Sequence, residues 1–158
     1  MWIKSLSSNS LSRCQQGAAA VELAVVIVVL LLIVAGIIGF GRAFWYADAL
    51  TKSVRDGARL MSTWPITTIN SAGVAAARSI TINSANSANI SPQMATGNVL
   101  VECLNNSFAA VACSDGTAPV NVRVSITGFR VNLDEWFPFM MTVGTVPLAP
   151  HTTMRYMN

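Results

Sequence analysis

Three groups of side chains have the types and spacing to do chemistry. In Gly17-Ala18-Ala19-Ala20-Val21-Glu22 an acid stands five positions past a glycine, and no charge follows it from Leu23 to Gly41. An ionised side chain costs roughly 2.5 to 3.5 kcal/mol at a bilayer centre and less toward its edge, so Glu22 needs a reason to be there. Cys103 and Cys113 bracket Leu104 to Ala112. On the non-cytoplasmic side of a membrane they would form a disulfide worth roughly 2.5 to 3 kcal/mol in chain entropy, whereas in a reducing compartment they would stay free thiols. Asp134 and Glu135 are adjacent carboxylates. On a strand they would face opposite sides, which suits a solvated turn and not the facing pair of a glycosidase. His151 is the single histidine, which argues against a metal site of His and Cys ligands, and no Ser or Cys lies in a nucleophile context. These residues predict no enzyme, no cofactor and no metal.

The elements that would position these residues begin with one apolar run. Ala18 to Phe40 spans about 34 Å as a helix, slightly more than the ~30 Å hydrocarbon core, so it can cross a membrane once with some tilt. Lys4 and Arg13 precede it without an acid, and a mixed set from Arg42 to Arg59 follows. The positive-inside rule therefore places the N-terminus in the cytoplasm. A secretory signal peptide is the rival, with Ala47-Asp48-Ala49 as an A-x-A pattern, but the apolar run exceeds the usual ~7 to 15 residues and ends well before those alanines. Past the membrane, Phe40, Ala43, Ala47, Leu50, Val54, Gly57 and Met61 recur at spacings of three and four, while the charges fall largely outside that stripe. The helix is expected to continue to about Thr63, with Asp48–Lys52 and Lys52–Asp56 as i,i+4 pairs and Trp64-Pro65 as its stop.

After Pro65 the pattern changes. Ser71 to Ile82 reads as a second helix with Ser71 or Asn70 near its start, and Asn83 to Asn89 as an exposed polar loop. Val120, Val122, Val124 and Ile126 alternate with polar neighbours as a strand; Val99–Leu104 and Thr152–Tyr156 are two more. The fold class is α+β: a long N-terminal transmembrane-plus-amphipathic helix, a second short helix and a small antiparallel sheet packed on the long helix. Trp136 to Met141 is a bulky cluster, either core cover or a docking surface.

The chain has 158 residues, 53% of them apolar and 11% charged. Such a composition fits a single-pass membrane protein with one small outer domain better than a cytosolic enzyme. The formal charge is +3, but without Lys4 and Arg13 the ten basic side chains fall to eight, against seven acidic. The remaining cations are scattered, so no nucleic-acid partner is expected.

Arg13-Cys14-Gln15-Gln16-Gly17-Ala18-Ala19-Ala20-Val21-Glu22-Leu23, then Gly39-Phe40-Gly41-Arg42-Ala43-Phe44, Ala49-Leu50-Thr51 and Arg55-Asp56-Gly57-Ala58-Arg59 resemble the TadE-like minor pilins of tight-adherence (Tad) pili, of TadE or TadF type. The likeness is dense over Arg13 to Arg59 and looser beyond. It implies a prepilin leader over 1–17, cut between Gly17 and Ala18 by a prepilin peptidase, and an assembly role for Glu22, fifth in the mature chain. It implies a transmembrane half over 18–41, an amphipathic continuation over 42–63 and a periplasmic or extracellular domain over 64–158. Implied partners are other minor pilins, the major pilin, the Tad inner-membrane assembly platform and membrane lipid; the implied location is the bacterial inner membrane or the pilus itself. Ala18 and Glu22 are i,i+4, so a freed α-amino group with pKa near 8 could neutralise the carboxylate. The alternative is an uncleaved single-pass protein whose outer domain binds a ligand or acts as a scaffold.

Overall fold

A computed structural model describes the backbone of residues 9–132 and 144–158 and the side chains of residues 17–132 and 144–158. Asp134, Glu135 and the Trp136–Met141 cluster lie outside the described residues. Two compact units divide the chain, Met1–Phe40 and Gly41–Asn158.

Helix α1 runs over Asn9–Ser62, 54 residues. It starts earlier than the expected Ala18 because nothing between Asn9 and Gly17 breaks a helix, and one internal glycine costs only about 1 kcal/mol. Its end follows the expectation. Thr63 and Trp64 donate their N–H groups to Leu60 and Met61 O in a tightened last turn, and Pro65 has no N–H to continue.

Within Gly41–Asn158, Tyr46, Leu50, Val54, Ala58 and Met61 of α1 are buried. The expected stripe holds from Leu50 onward, but Phe40 is 73% exposed and Tyr46 takes an inward place. Of the two expected ion pairs, Asp48–Lys52 forms at 2.6 Å. Asp56 instead accepts a hydrogen bond from Ser84 Oγ at 3.3 Å.

A short π turn, Ile69–Gly73, leads into α2, Val74–Ser87. This helix extends past the predicted end at Ile82 and absorbs most of the segment expected to be an exposed loop. The reason is tertiary. Ala85 is fully buried, and the Asn86 amide brackets Met94, accepting from its N–H at 2.8 Å and donating to its carbonyl at 3.1 Å. Small residues that read as loop here take part in close packing, with Ala85 fully buried.

The sheet contains β1 (Val99–Leu104), β2 (Ala110–Val111), β3 (Asn121–Ile126) and β6 (His151–Arg155) in the order β2-β1-β3-β6, all antiparallel. Strands β4 (Phe129–Asn132) and β5 (Thr145–Leu148) pair separately. Val99, Val101 and Cys103 join Val122, Val124 and Ile126 on the buried face, as the alternation predicted. Glu102 lies opposite Arg123 on the other face, and their side chains approach to 3.6 Å.

Candidate assembly surface

Gly17, Ala18 and Glu22 all lie in α1, and all three are exposed. The helix puts Ala18 and Glu22 one turn apart on one face. From Val21 to Trp45 the same helix exposes its large apolar side chains: Val21 66%, Leu30 56%, Ile37 67%, Phe44 72%. Such a surface is stable only against lipid or other apolar helices. Among the described residues there is one helix long and apolar enough to cross a membrane, Gly17–Ser62.

Cys103 and Cys113 are joined in a disulfide with their Cα atoms 5.2 Å apart. Cys103 is buried on β1, and the bridge ties it to the segment after β2. Two residues beyond the bridge, Asp115 does what sequence reasoning assigned to Asn70 or Ser71. Its Oδ1 accepts from the N–H of Asn70 at 2.6 Å and of Ser71 at 3.2 Å, while Gly116 N–H donates to Ile66 O at 2.9 Å. No side chain of the local caps does this. The Asn70 N–H, helped by Ser71 and opposed by slight desolvation, holds the Asp115 carboxyl below its ordinary value. No spacing in the chain pointed to this contact, since the two partners lie more than forty residues apart.

Tyr156, just past β6, is tied to the segment that follows α1. Its hydroxyl donates to Trp64 O at 2.7 Å, and burial pushes its pKa up. Met157 N–H donates to Ser62 O at 2.9 Å. The last residues of the chain thus satisfy carbonyls at the end of α1 that the helix itself leaves unpaired. His151 sits exposed on β6, opposite Ser125. Among the described residues no group of three or more His, Cys, Asp or Glu side chains could hold a metal ion.

Residues 17–59 match the family model of TadE-like proteins. Over this segment the chain is similar to TadE-like proteins. Comparison with curated proteins and with solved structures finds no match. The matched segment covers Gly17, Ala18, Glu22, the exposed apolar run and α1 up to Arg59, and the likeness suggests a protein associated with the Tad pilus. The α+β domain beyond it is described by its structure alone.

Proposed function

We propose that this chain is a minor pilin, or pseudopilin, of a Tad-type type IV pilus, and that its role is structural and not enzymatic. A prepilin peptidase cuts it between Gly17 and Ala18. The mature subunit then acts in pilus assembly or initiation, or at the pilus tip in adhesion, with other minor pilins, the major pilin and the inner-membrane assembly platform as partners. The observation that supports this reading best is the placement of Gly17, Ala18 and Glu22 in an exposed helical segment that falls within the TadE-like match.

The physical mechanism follows from that placement. The scissile bond lies inside α1, so the peptidase must unwind a turn around it. Gly17 makes this easier, since glycine weakens a helix by about 1 kcal/mol relative to alanine. Cleavage frees an α-amino group at Ala18, one helical turn from Glu22. Paired with it, in the same chain or a neighbour, Glu22 no longer carries an uncompensated charge into the apolar layer. A pair between neighbours would also fix the register in which subunits add.

N-terminal sequencing of the membrane-extracted protein tests the processing step: Ala18 is the expected first residue, and a chain that retains Met1 would instead indicate an uncleaved single-pass anchor. For the assembly role, Glu22→Gln keeps the shape and removes the charge. Incorporation of the subunit into sheared pili should drop at least tenfold, and unchanged incorporation would refute the role.

A further inference from the structure

Between helix α2 and the 3-10 turn Thr96–Asn98, which leads into β1, runs a groove of about 380 Å³. It lies wholly within the Gly41–Asn158 unit. Ala75, Arg78, Ser79, Ile82 and Asn83 line it from one face of α2 at spacings of three and four, and Thr96 lines it from the turn. Ala75, Ser79, Asn83 and Thr96 are exposed, so one side is open to solvent, while Arg78 and Ile82 are half-buried.

Among the described residues Arg78 is the one charged side chain in this lining. Its Nε–H donates to Val99 O at 3.2 Å, which pins the guanidinium and leaves both Nη groups as donors. No acid among the described residues of the domain answers them. Asp48 pairs with Lys52 and Glu102 with Arg123, while Asp56 accepts from Ser84 and Asp115 from Asn70 and Ser71. Arg55 and Arg59 differ, because they stand exposed on α1 where water and salt screen them.

The lining narrows what fits. One guanidinium compensates one negative charge, and its planar pair of Nη donors matches the two oxygens of a carboxylate. A phosphate dianion would keep a charge uncompensated beside Ala75 and Ile82. These two residues suit a short aliphatic stem, and Ser79, Asn83 and Thr96 offer hydrogen bonds to a flanking backbone. A free acid would find one ionic contact in an open groove, whereas small-molecule sites bury most of their ligand. A side chain projecting from a protein needs no more, since the surrounding interface supplies the rest.

We propose that this groove is a carboxylate socket for an Asp or Glu side chain of a neighbouring subunit, with the carboxylate accepting from the Nη groups of Arg78 and its stem lying against Ala75 and Ile82. The partner half of this statement rests on the reading of the chain as an assembled subunit; the carboxylate chemistry does not.

The first arm of the test titrates the full chain in detergent micelles with N-acetylglutamate α-amide, one glutamate side chain with no other charge. The Arg78 Nε–H and the Ser79 and Thr96 amide resonances should shift with a Kd on the order of 10 to 100 mM, and the glutamine analogue should move none of them. Arg78→Gln should weaken binding by about tenfold or more. Thr96→Glu keeps Arg78 and sets a competing carboxylate at the rim, so it should block the probe even if the Arg78 variant misfolds. A wild-type spectrum that ignores the probe, or shifts that persist in Thr96→Glu, overturn the socket. In the second arm, Ser79 is replaced by p-benzoylphenylalanine in cells that make the pilus, and the cross-linked peptide is sequenced. It should contain an Asp or Glu, and Arg78→Glu combined with that acid changed to Arg should restore a link that either change alone loses. A link to a peptide without an acid, or one indifferent to Arg78→Glu, overturns the proposal. Probe binding with no cross-link gives the groove to a free acid and overturns the partner. Failure of the assembly reading shows separately, as a chain absent from sheared pili, and leaves the titration to decide the socket.

Discussion

Gly57 sets how closely α1 and α2 approach. A Cβ at this position would collide with Thr81 Oγ1 and come within 3.1 Å of Ala77 O. Thr81 is fully buried and has already donated its hydroxyl to Ala77 O at 2.7 Å, so it has no free direction in which to move. Gly57→Ala should lower stability by about 1 to 3 kcal/mol, the usual cost of overpacking. In a Thr81→Ala background the same change should cost much less, and thermal unfolding of the four proteins in detergent measures that coupling. The sequence showed Gly57 only as one small member of an apolar stripe. What it could not show is the residue opposite, because spacing along one helix carries no information about which turn of another helix it meets. Glu22 is the reverse case: its isolation in an apolar run is itself the signal, and no tertiary contact was needed to notice it.

At the scale of elements, legibility follows how local the cause is. Strands β1 and β3 alternate a buried face with a more exposed one, and β6 alternates half-buried with exposed positions, so Val122, Val124 and Ile126 announced themselves. Strand β2 has two residues, and β5 contains Pro147 and buries little, so neither carries a pattern long enough to read. The start of α2 failed for a different reason. Asn70 and Ser71 have the right chemistry for a local cap, yet their N–H groups are capped from a distant loop by Asp115. This contact has a pH signature. Because the folded-state pKa of Asp115 lies below its unfolded value, its contribution is complete above the unfolded carboxylate range, about pH 4, and disappears as pH falls through the lower folded value. Asp115→Asn should therefore flatten the loss of stability between about pH 5 and pH 3 relative to wild type, read from melting temperatures across that range. An unchanged acid slope would assign the titration to other carboxylates.

For the whole molecule, the α+β domain is tied together at several points distant in sequence. The sheet meets α1 and α2 through one core, the Asp115 contact secures the start of α2, and Tyr156 and Met157 secure the end of α1. A domain of this size has a small margin of stability. Replacing both Cys103 and Cys113 with serine should thus lower stability by about 2.5 to 3 kcal/mol through the freed loop, enough to make the domain susceptible to proteolysis at growth temperature. Limited proteolysis with and without reductant checks this. Cleavage that is indifferent to reduction would show that the core alone suffices.

The same bridge also matters if the subunit carries load. Ten positions separate the two cysteines, yet their Cα atoms stand 5.2 Å apart. A free chain of that separation could be drawn out to about 35 Å. In a force-extension trace the oxidised domain should therefore come up about 30 Å short of the reduced one, a missing length by which the bond can be counted one molecule at a time.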